Sequence, residues 1–281
     1  MPAAESKEEK NNNLNQPRDP PATSFEVEPI LQALPVYSRG NVQPYFGLVV
    51  VCHWPPSPEF QKWYDETWLP TVRTCFDKAD LLDGDEDNHS PPPSVYLYPS
   101  KYLHITIATL YPMKSISKAE TDMSYEGLET QYSELLERAS RRPDWPRQNF
   151  QIRLDRAQLG SKAGILLWKD LSGGIEQVRN CLKKEAQTPA DQIAIHSIPS
   201  IVHSTFVRYA KVPSTPASAV QERFQQHCLP LAEAFSKENA ISVSNISLAC
   251  ERIPYMHIPQ DEHHVLWEHT LDNAREEEGA S

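Results

Sequence analysis

Two short segments, 99 residues apart, constrain this chain more than any other part of its sequence. Both are rich in β-branched and apolar residues, and in each a histidine is followed two positions later by a threonine. Alternate side chains of a strand lie on one face, so His104 shares a face with Thr106, and His203 with Thr205. The sequence therefore predicts two strands that each present a histidine and a hydroxyl on one side.

A single histidine followed two residues later by serine or threonine is expected about once by chance in such a chain, so its surroundings must carry the argument. The pairing has a chemical reason. In-line cleavage of a phosphodiester needs one group to remove a proton from the attacking oxygen and another to protonate the leaving oxygen. Two histidines with ordinary pKa values of about 6.5 can divide these roles near neutral pH, and hydroxyls can donate to the non-bridging oxygens. No metal or cofactor is required, and the sequence leaves open which histidine is acid and which is base.

These segments resemble the two signature motifs of the 2H phosphoesterases. Residues 104–108 resemble the first motif, and residues 203–208 resemble the second, which often ends in an arginine, here Arg208. Residues 164–168 are similar to a strand of the LigT-like and cyclic phosphodiesterase branches. The resemblance covers about residues 44–270.

The resemblance implies an α+β, bilobal fold with two antiparallel-sheet lobes flanked by helices around a central cleft. It further implies that His104 and His203 are the acid and base and that Thr106 and Thr205 bind phosphate. The expected substrates are 2′,3′-cyclic phosphates, RNA ends or 2′,5′-linked oligonucleotides. The alternatives are a non-catalytic module that binds a nucleotide or a protein in the same cleft, and a 3′ to 5′ RNA-trimming exonuclease.

Several residues have a simpler interpretation that the sequence leaves open. The two histidines would then be buried strand residues hydrogen-bonded within the core. Tyr102, predicted on the same face as His104, either contacts substrate or packs. Arg208 has the wrong parity for the face of His203 on an unbroken strand, so it reaches a phosphate only through a bulge or twist and is otherwise a structural ion-pair residue. Trp168 is predicted to lie in the core.

A third group of histidines, His257, His263 and His264 near Asp261, could suggest a metal site. Their spacing fits no strong zinc pattern. A solvated histidine cluster in a loop is the prediction here.

The rest of the chain alternates apolar runs with amphipathic segments, and no residue-level repeat is visible. We predict an arm over residues 1–42, disordered or loosely docked, one domain over 43–270 with an acidic, proline-rich loop at 80–93, and an acidic tail at 271–281. Strands are predicted at 45–54, 150–159, 163–169, 198–210, 241–250 and 265–270, with two extended stretches within 95–110. Helices are predicted at 59–78 with an interruption at Pro70, and at 125–141, 174–184 and 217–237.

The net charge of −11 is concentrated outside the predicted core of the domain. The terminal segments and the acidic loop hold almost all of it, so the remainder is close to neutral. That balance favours a small nucleotide or an RNA end over a long duplex, which would need many basic phosphate contacts. We expect a soluble monomer, cytoplasmic or nuclear, because no apolar run is long enough to span a membrane and the five widely spaced cysteines indicate free thiols.

Overall fold

The computed structural model describes residues 23–34, 37, 45–81, 93–116, 123–188, 192–257 and 264–272. These residues form two antiparallel sheets. The first sheet has the strand order β3-β1-β8-β9 and the second β2-β6-β5-β4-β7. The strands are β1 (Tyr45–Cys52), β2 (Val95–Leu97), β3 (Ile105–Ser115), β4 (Phe150–Leu159), β5 (Ala163–Asp170), β6 (His203–Tyr209), β7 (Ile241–Val243), β8 (Asn245–Glu251) and β9 (Val265–Thr270).

Each sheet takes strands from both halves of the sequence. The late strands β8 and β9 complete the sheet that contains β1 and β3, and the early strand β2 joins the edge of the second sheet beside β6. One cluster of buried apolar side chains includes residues from both sheets. With helices packed against the sheets, this confirms the predicted α+β fold with two antiparallel sheets.

The helices are α1 (Pro58–Trp63), α2 (Leu69–Arg73), α3 (Met123–Ser140), α4 (Gly174–Ala186), α5 (Ala217–Arg223) and α6 (Leu229–Glu238). Two of the helical junctions have the same construction. A π turn, Tyr64–Trp68, joins α1 to α2, and another, Phe224–Cys228, joins α5 to α6.

The sequence explains why these π turns form where they do. Each is followed by a Leu-Pro pair, at Pro70 and at Pro230. Proline has no N–H, and its ring clashes with the carbonyl four residues earlier, so a regular α-helix cannot continue unchanged through it. The wider π turn keeps the helix running, and Leu69 donates its N–H to the carbonyl of Tyr64, five residues back. The predicted interruption at Pro70 is thus a π turn. The same construction recurs at Pro230, a structural repeat that the sequence patterns did not reveal.

Two predicted strands have different bounds in the structure. The strand predicted at 198–210 begins only at His203, because the preceding backbone pairs with β3 instead: Ser197 donates to the carbonyl of Thr109 at 3.0 Å and accepts from its N–H at 2.8 Å. The strand predicted at 241–250 is split into β7 and β8 around Ser244, and the two parts lie in different sheets.

Most of the predicted arm, acidic loop and tail lies outside the described residues. Within the arm, residues 23–34 lie against β6, and Leu31 and Leu34 are fully buried. Asp80 at the start of the acidic loop is also buried, where it accepts hydrogen bonds from the backbone and hydroxyl groups of Ser214 and Thr215. Asp80 is therefore a structural carboxylate and not part of a solvated acidic run.

All five cysteines are free, as predicted, and all five are buried. In the part of the chain that the structure covers, no helix is long and apolar enough to cross a bilayer.

Candidate active site

The first motif lies at the entry to β3. Tyr102 ends a 3₁₀ turn, Ser100–Tyr102, and the chain then becomes extended, so His104 immediately precedes the first residue of the strand. The extended segment predicted to include Tyr102 and His104 is therefore interrupted by the turn at Tyr102, and both residues precede β3. The Tyr102 backbone nevertheless orients the histidine, since its carbonyl accepts a hydrogen bond from Nδ1 of His104 at 3.0 Å.

The first π turn holds the segment that carries His104. Tyr64 donates its hydroxyl proton to the carbonyl of Tyr98 at 2.8 Å, and Asp65 accepts a hydrogen bond from the hydroxyl of Ser100 at 2.6 Å. Tyr98 in turn donates its N–H to the carbonyl of Phe206 in β6. The segment that precedes the first motif is thus hydrogen-bonded to β6, the strand that carries the second motif.

The second motif begins β6. His203 lies opposite Leu167 of β5, and the indole N–H of Trp168 donates to the hydroxyl of Ser204 at 3.1 Å. Trp168 is buried, as predicted. Ser204 therefore faces the core while His203 and Thr205 lie on the other face of the strand.

A β-bulge follows the threonine of the first motif. Thr106 pairs with Val51 of β1, but the next pair along the strands joins Ala108 to Val50, so Ile107 is extra. The bulge shifts the alternation of buried and half-buried side chains by one position. As a result, Thr109 lies on the half-buried face with Thr106.

An equivalent bulge follows the threonine of the second motif. Thr205 pairs with Ile165 of β5, the next pair joins Val207 to Gly164, and Phe206 is extra. The shift places Arg208 on the half-buried face with His203 and Thr205, which an unbroken strand would not do. The sequence allowed Arg208 to reach a phosphate only through a bulge or a twist, and the structure contains this bulge.

Gly164 makes this second bulge possible. A Cβ atom on Gly164 would lie 2.4 Å from Cγ1 of Val207 and 2.5 Å from Cζ of Phe206. We expect Gly164→Ala to lower the free energy of unfolding by about 1–3 kcal/mol, because the bulge must move to admit the methyl group. The check is urea unfolding, with Gly127→Ala in α3 as the matched control, since nothing lies within 4 Å of a Cβ there. A Gly164→Ala protein as stable as the control would contradict the close packing.

Arg179 binds the backbone next to both motifs. Its side chain is buried, and it donates from Nη2 to the carbonyl of Ile201 at 3.0 Å and from Nε to the carbonyl of Ile107 at 3.4 Å. Asp170 fixes the start of α4, the helix that carries this arginine, by accepting the N–H of Ile175 at 2.8 Å. One guanidinium therefore braces the backbone just after the first motif and just before the second.

Both motif histidines are held neutral in the folded protein. Burial lowers the pKa of His104 to about 4, partly opposed by the bond to the Tyr102 carbonyl, and the charge of Arg208 lowers it further. Burial also lowers the pKa of His203 to about 4, and His104, Arg208 and Arg179 act in the same direction.

The tautomer of His104 follows from its partner. A carbonyl can only accept, so Nδ1 of His104 carries the proton and Nε2 keeps its lone pair. Nδ1 of His203, in contrast, is buried and has no hydrogen-bond partner among the described residues. The two rings are thus not equivalent in their resting state.

Four histidines with lowered pKa values predict an acid-sensitive fold. His53, His104, His203 and His257 have pKa values of about 3, 4, 4 and 4 in the folded protein, each lowered chiefly by burial. Unfolding restores the ordinary histidine pKa of about 6.5, so below that pH the unfolded chain binds more protons than the folded protein. The folded state therefore loses stability as pH falls, by up to about 1.4 kcal/mol per pH unit for each histidine.

Urea unfolding between pH 7 and 5 measures this dependence of stability on pH. Glu251, whose pKa burial raises to about 7, acts in the opposite direction over this range and offsets about one histidine. His53→Asn tolerates the positive φ of 53° and removes one group, so the slope should fall by up to about 1.4 kcal/mol per pH unit. An unfolding midpoint that does not change with pH would contradict the lowered histidine pKa values.

His257 is buried and does not belong to a solvated cluster, which corrects the prediction for this loop. Nδ1 of His257 donates to the carbonyl of Pro254 at 2.9 Å, which leaves Nε2 to accept the hydroxyl proton of Tyr96. The ring of Tyr102 lies 4.5 Å from the His257 ring. The Tyr102 ring, two residues before His104 in the sequence, therefore packs against His257. His263 and Asp261 lie outside the described residues.

The structure also contains a cavity of about 440 Å³. His53, Ser57, Asn245 and Glu268 are among its lining residues, and neither motif contributes to it. In the described part of the chain no cluster of three or more histidine, cysteine or carboxylate side chains could hold a metal ion.

Comparison with known proteins gives structural similarity only. No family model matches the sequence, and no curated protein matches it. Among solved structures, E. coli LigT complexed with NADP+ is 15% identical, with 81% of this chain and 98% of that chain covered and a TM-score of 0.41. A conserved protein of unknown function from Agrobacterium tumefaciens is 13% identical, with 86% and 100% covered and a TM-score of 0.48. Usb1 from Kluyveromyces marxianus with uridine monophosphate is 8% identical, with 75% and 95% covered and a TM-score of 0.41.

These matches include members of the 2H phosphoesterases, the family that the two motifs resemble. At TM-scores of 0.41 to 0.48 they carry no functional weight, so the activity has to follow from the residues of this chain.

Proposed function

We propose that this chain is a metal-independent phosphodiesterase that acts on 2′,3′-cyclic phosphates, RNA ends or 2′,5′-linked oligonucleotides by two-histidine acid–base catalysis. The observation that carries the proposal is the matched construction of the two motifs. Each places a histidine, a threonine and, beyond a bulge, a further polar side chain on one half-buried face. A core role for two histidines does not require the same bulge twice.

Proximity of the two motifs supports their action on a single phosphate. Strands β3 and β6 belong to different sheets yet contact each other, and the charge of His104 influences the pKa of His203. In-line displacement at phosphorus needs an acid and a base on opposite sides of the reacting atom. Two strands that approach from separate sheets are suited to place one histidine on each side.

The remaining polar groups would hold the phosphate. The hydroxyls of Thr106 and Thr205 can donate to its non-bridging oxygens, where negative charge is concentrated in the transition state. Arg208 supplies positive charge on the face of the second motif. Tyr102 is exposed enough to contact the nucleoside part of a substrate, and its ring is steadied by packing on His257.

We assign the general base to His104 and the general acid to His203. The fixed proton on Nδ1 leaves Nε2 of His104 as an acceptor, which is the form that a base needs before the reaction. The carbonyl of Tyr102 then stabilises the imidazolium that forms. His203 must be protonated at the start, and a bound phosphate anion next to it would favour that form.

The basic groups near the motifs favour a small substrate. Among the described residues, Arg208 lowers the pKa of both motif histidines, Arg179 lowers that of His203, and Lys101 lowers that of His257. A groove for a long RNA would need several further phosphate contacts. A single phosphate with one or two nucleosides is consistent with this charge.

The direct test is hydrolysis in the presence of EDTA. Substrates would be a 2′,3′-cyclic nucleotide, a 2′,5′-linked dinucleotide and a short RNA with a 3′ hydroxyl end, and products would be resolved by chromatography. Turnover of either small substrate supports the proposal. Stepwise shortening of the RNA alone would indicate the exonuclease, and nucleotide binding without turnover of any substrate would indicate a binding module.

A further inference from the structure

Residues 23–34 place a carboxylate beside the arginine of the second motif. Oε2 of Glu28 lies 3.5 Å from Nη1 of Arg208, and the N–H of Glu28 donates to the carbonyl of Tyr209 at 2.8 Å. The backbone bond to the neighbouring strand residue fixes the point from which the Glu28 side chain reaches the arginine.

The segment that carries Glu28 is firmly attached to the domain. Leu31 and Leu34 are fully buried, and the ring of Phe25 lies 4.4 Å from that of Tyr209. Gln32 donates to the carbonyl of Ala210 at 3.3 Å, one residue beyond the end of β6. The carboxylate is therefore a permanent part of the surroundings of Arg208.

Arg208 is in turn held in place for this contact. Its guanidinium lies over the ring of Tyr255 at 4.2 Å, and Tyr255 adopts a left-handed backbone conformation at φ 60°. Glu251 supports that turn by accepting the N–H of Met256 at 3.1 Å. Arg208 thus contacts the Tyr255 ring and the Glu28 carboxylate. The carboxylate reduces the positive charge that Arg208 presents to a ligand.

The other described cations near the motifs do not compensate for the negative charge of Glu28. Arg179 is directed at backbone carbonyls behind the motifs, and Lys101 lies over the Tyr102 ring at 4.9 Å on the exposed side. Glu251 is buried, which raises its pKa to about 7, so at pH 8 it is ionised in the unmodified protein and in the Glu28 variants alike. A phosphate between the motifs would therefore meet Arg208 and the Glu28 carboxylate together.

We propose that Glu28 is a specificity-determining residue that makes the site accept monoanionic phosphodiesters and disfavour dianionic phosphate monoesters. The proposal rests on the phosphodiesterase function. A cyclic phosphate or diester carries one negative charge, whereas a monoester carries nearly two above pH 7. Repulsion by a nearby carboxylate grows with the charge of the ligand, so Glu28 penalises the monoester product of the reaction more than the substrate.

The test compares two nucleotides that differ in charge. At pH 8, Glu28→Gln should tighten binding of 3′-AMP by about tenfold and binding of 2′,3′-cyclic AMP by no more than about threefold, because only one unit of repulsion is removed for the cyclic ligand. Affinities would come from calorimetry, with 3′-AMP inhibition of turnover as a second readout. Glu28→Ala keeps the backbone bond to Tyr209 and should act in the same direction.

Glu26→Gln is the matched control. Glu26 lies on the same segment but bonds to Ser161 and pairs with Lys162, away from the motifs. An equal effect on both nucleotides, an unchanged affinity for 3′-AMP in either Glu28 variant, or the same change in Glu26→Gln would overturn the proposal. Calorimetry separates this from the phosphodiesterase function: a protein that turns over no substrate but discriminates by charge through Glu28 would refute catalysis alone.

Discussion

Alanine in place of His203 or His104 should lower kcat for hydrolysis of a 2′,3′-cyclic nucleotide by about 10²- to 10⁴-fold. Each change removes one proton transfer from the reaction while leaving both threonines in place. The double variant should be little slower than the worse single variant, because residues that act as a unit do not contribute independently. Steady-state kinetics measures the loss, and calorimetry with 3′-AMP should show a much smaller change in affinity.

Two controls make this result specific. His196→Ala alters an exposed histidine outside the motifs and should leave kcat unchanged. Bis(4-nitrophenyl) phosphate separates acid from base, since its leaving group departs without a proton. With that substrate the His203→Ala protein should recover to within about tenfold of the unmodified protein, whereas His104→Ala should not. The opposite pattern would exchange the two roles, and full activity in either variant would refute two-histidine catalysis.

Replacing Arg179 by methionine should lower kcat by about 10- to 100-fold, because the backbones on both sides of the site lose their shared donor and displacements of about 1 Å are that costly. Stability should change by only about 2 kcal/mol or less, since an apolar side chain of similar size avoids burying a charge. Arg179 also lowers the pKa of His203, so Arg179→Met should move the pH profile of kcat/KM to higher pH.

Arg179→Lys distinguishes position from charge. Lysine keeps the positive charge but cannot span the carbonyls of Ile107 and Ile201 with one planar group. We expect its pH profile to resemble that of the unmodified protein while kcat remains low. An Arg179→Met protein with normal kcat and an unmoved pH profile would show that the brace is structural only.

The chemistry of the site could be predicted because it is local in the sequence. A histidine and a threonine two positions apart must share a face wherever the chain is extended, so His104, Thr106, His203 and Thr205 were identifiable without a structure. The strand-and-helix order was readable for the same reason. These features depend on the period of the backbone and not on distant contacts.

The supporting parts of the site could not be predicted because they depend on packing between distant segments. Arg179 sits in an ordinary amphipathic helix, and nothing near it in the sequence indicates two carbonyls as partners. His257 precedes a loop that is polar in sequence, yet its ring contacts Tyr96 and Tyr102. The bulge that brings Arg208 to the site leaves only a faint trace in the sequence, the glycine at position 164 of the neighbouring strand.

The structure of the protein with 3′-AMP bound would show where the phosphate lies, and two-histidine catalysis requires one phosphate between the two motifs. We predict phosphate oxygens at about 2.6–3.2 Å from a ring nitrogen of both His104 and His203, with a threonine hydroxyl donating from each motif. A phosphate that contacts only one histidine, or that binds in the cavity lined by His53 and Glu268, would contradict two-histidine catalysis.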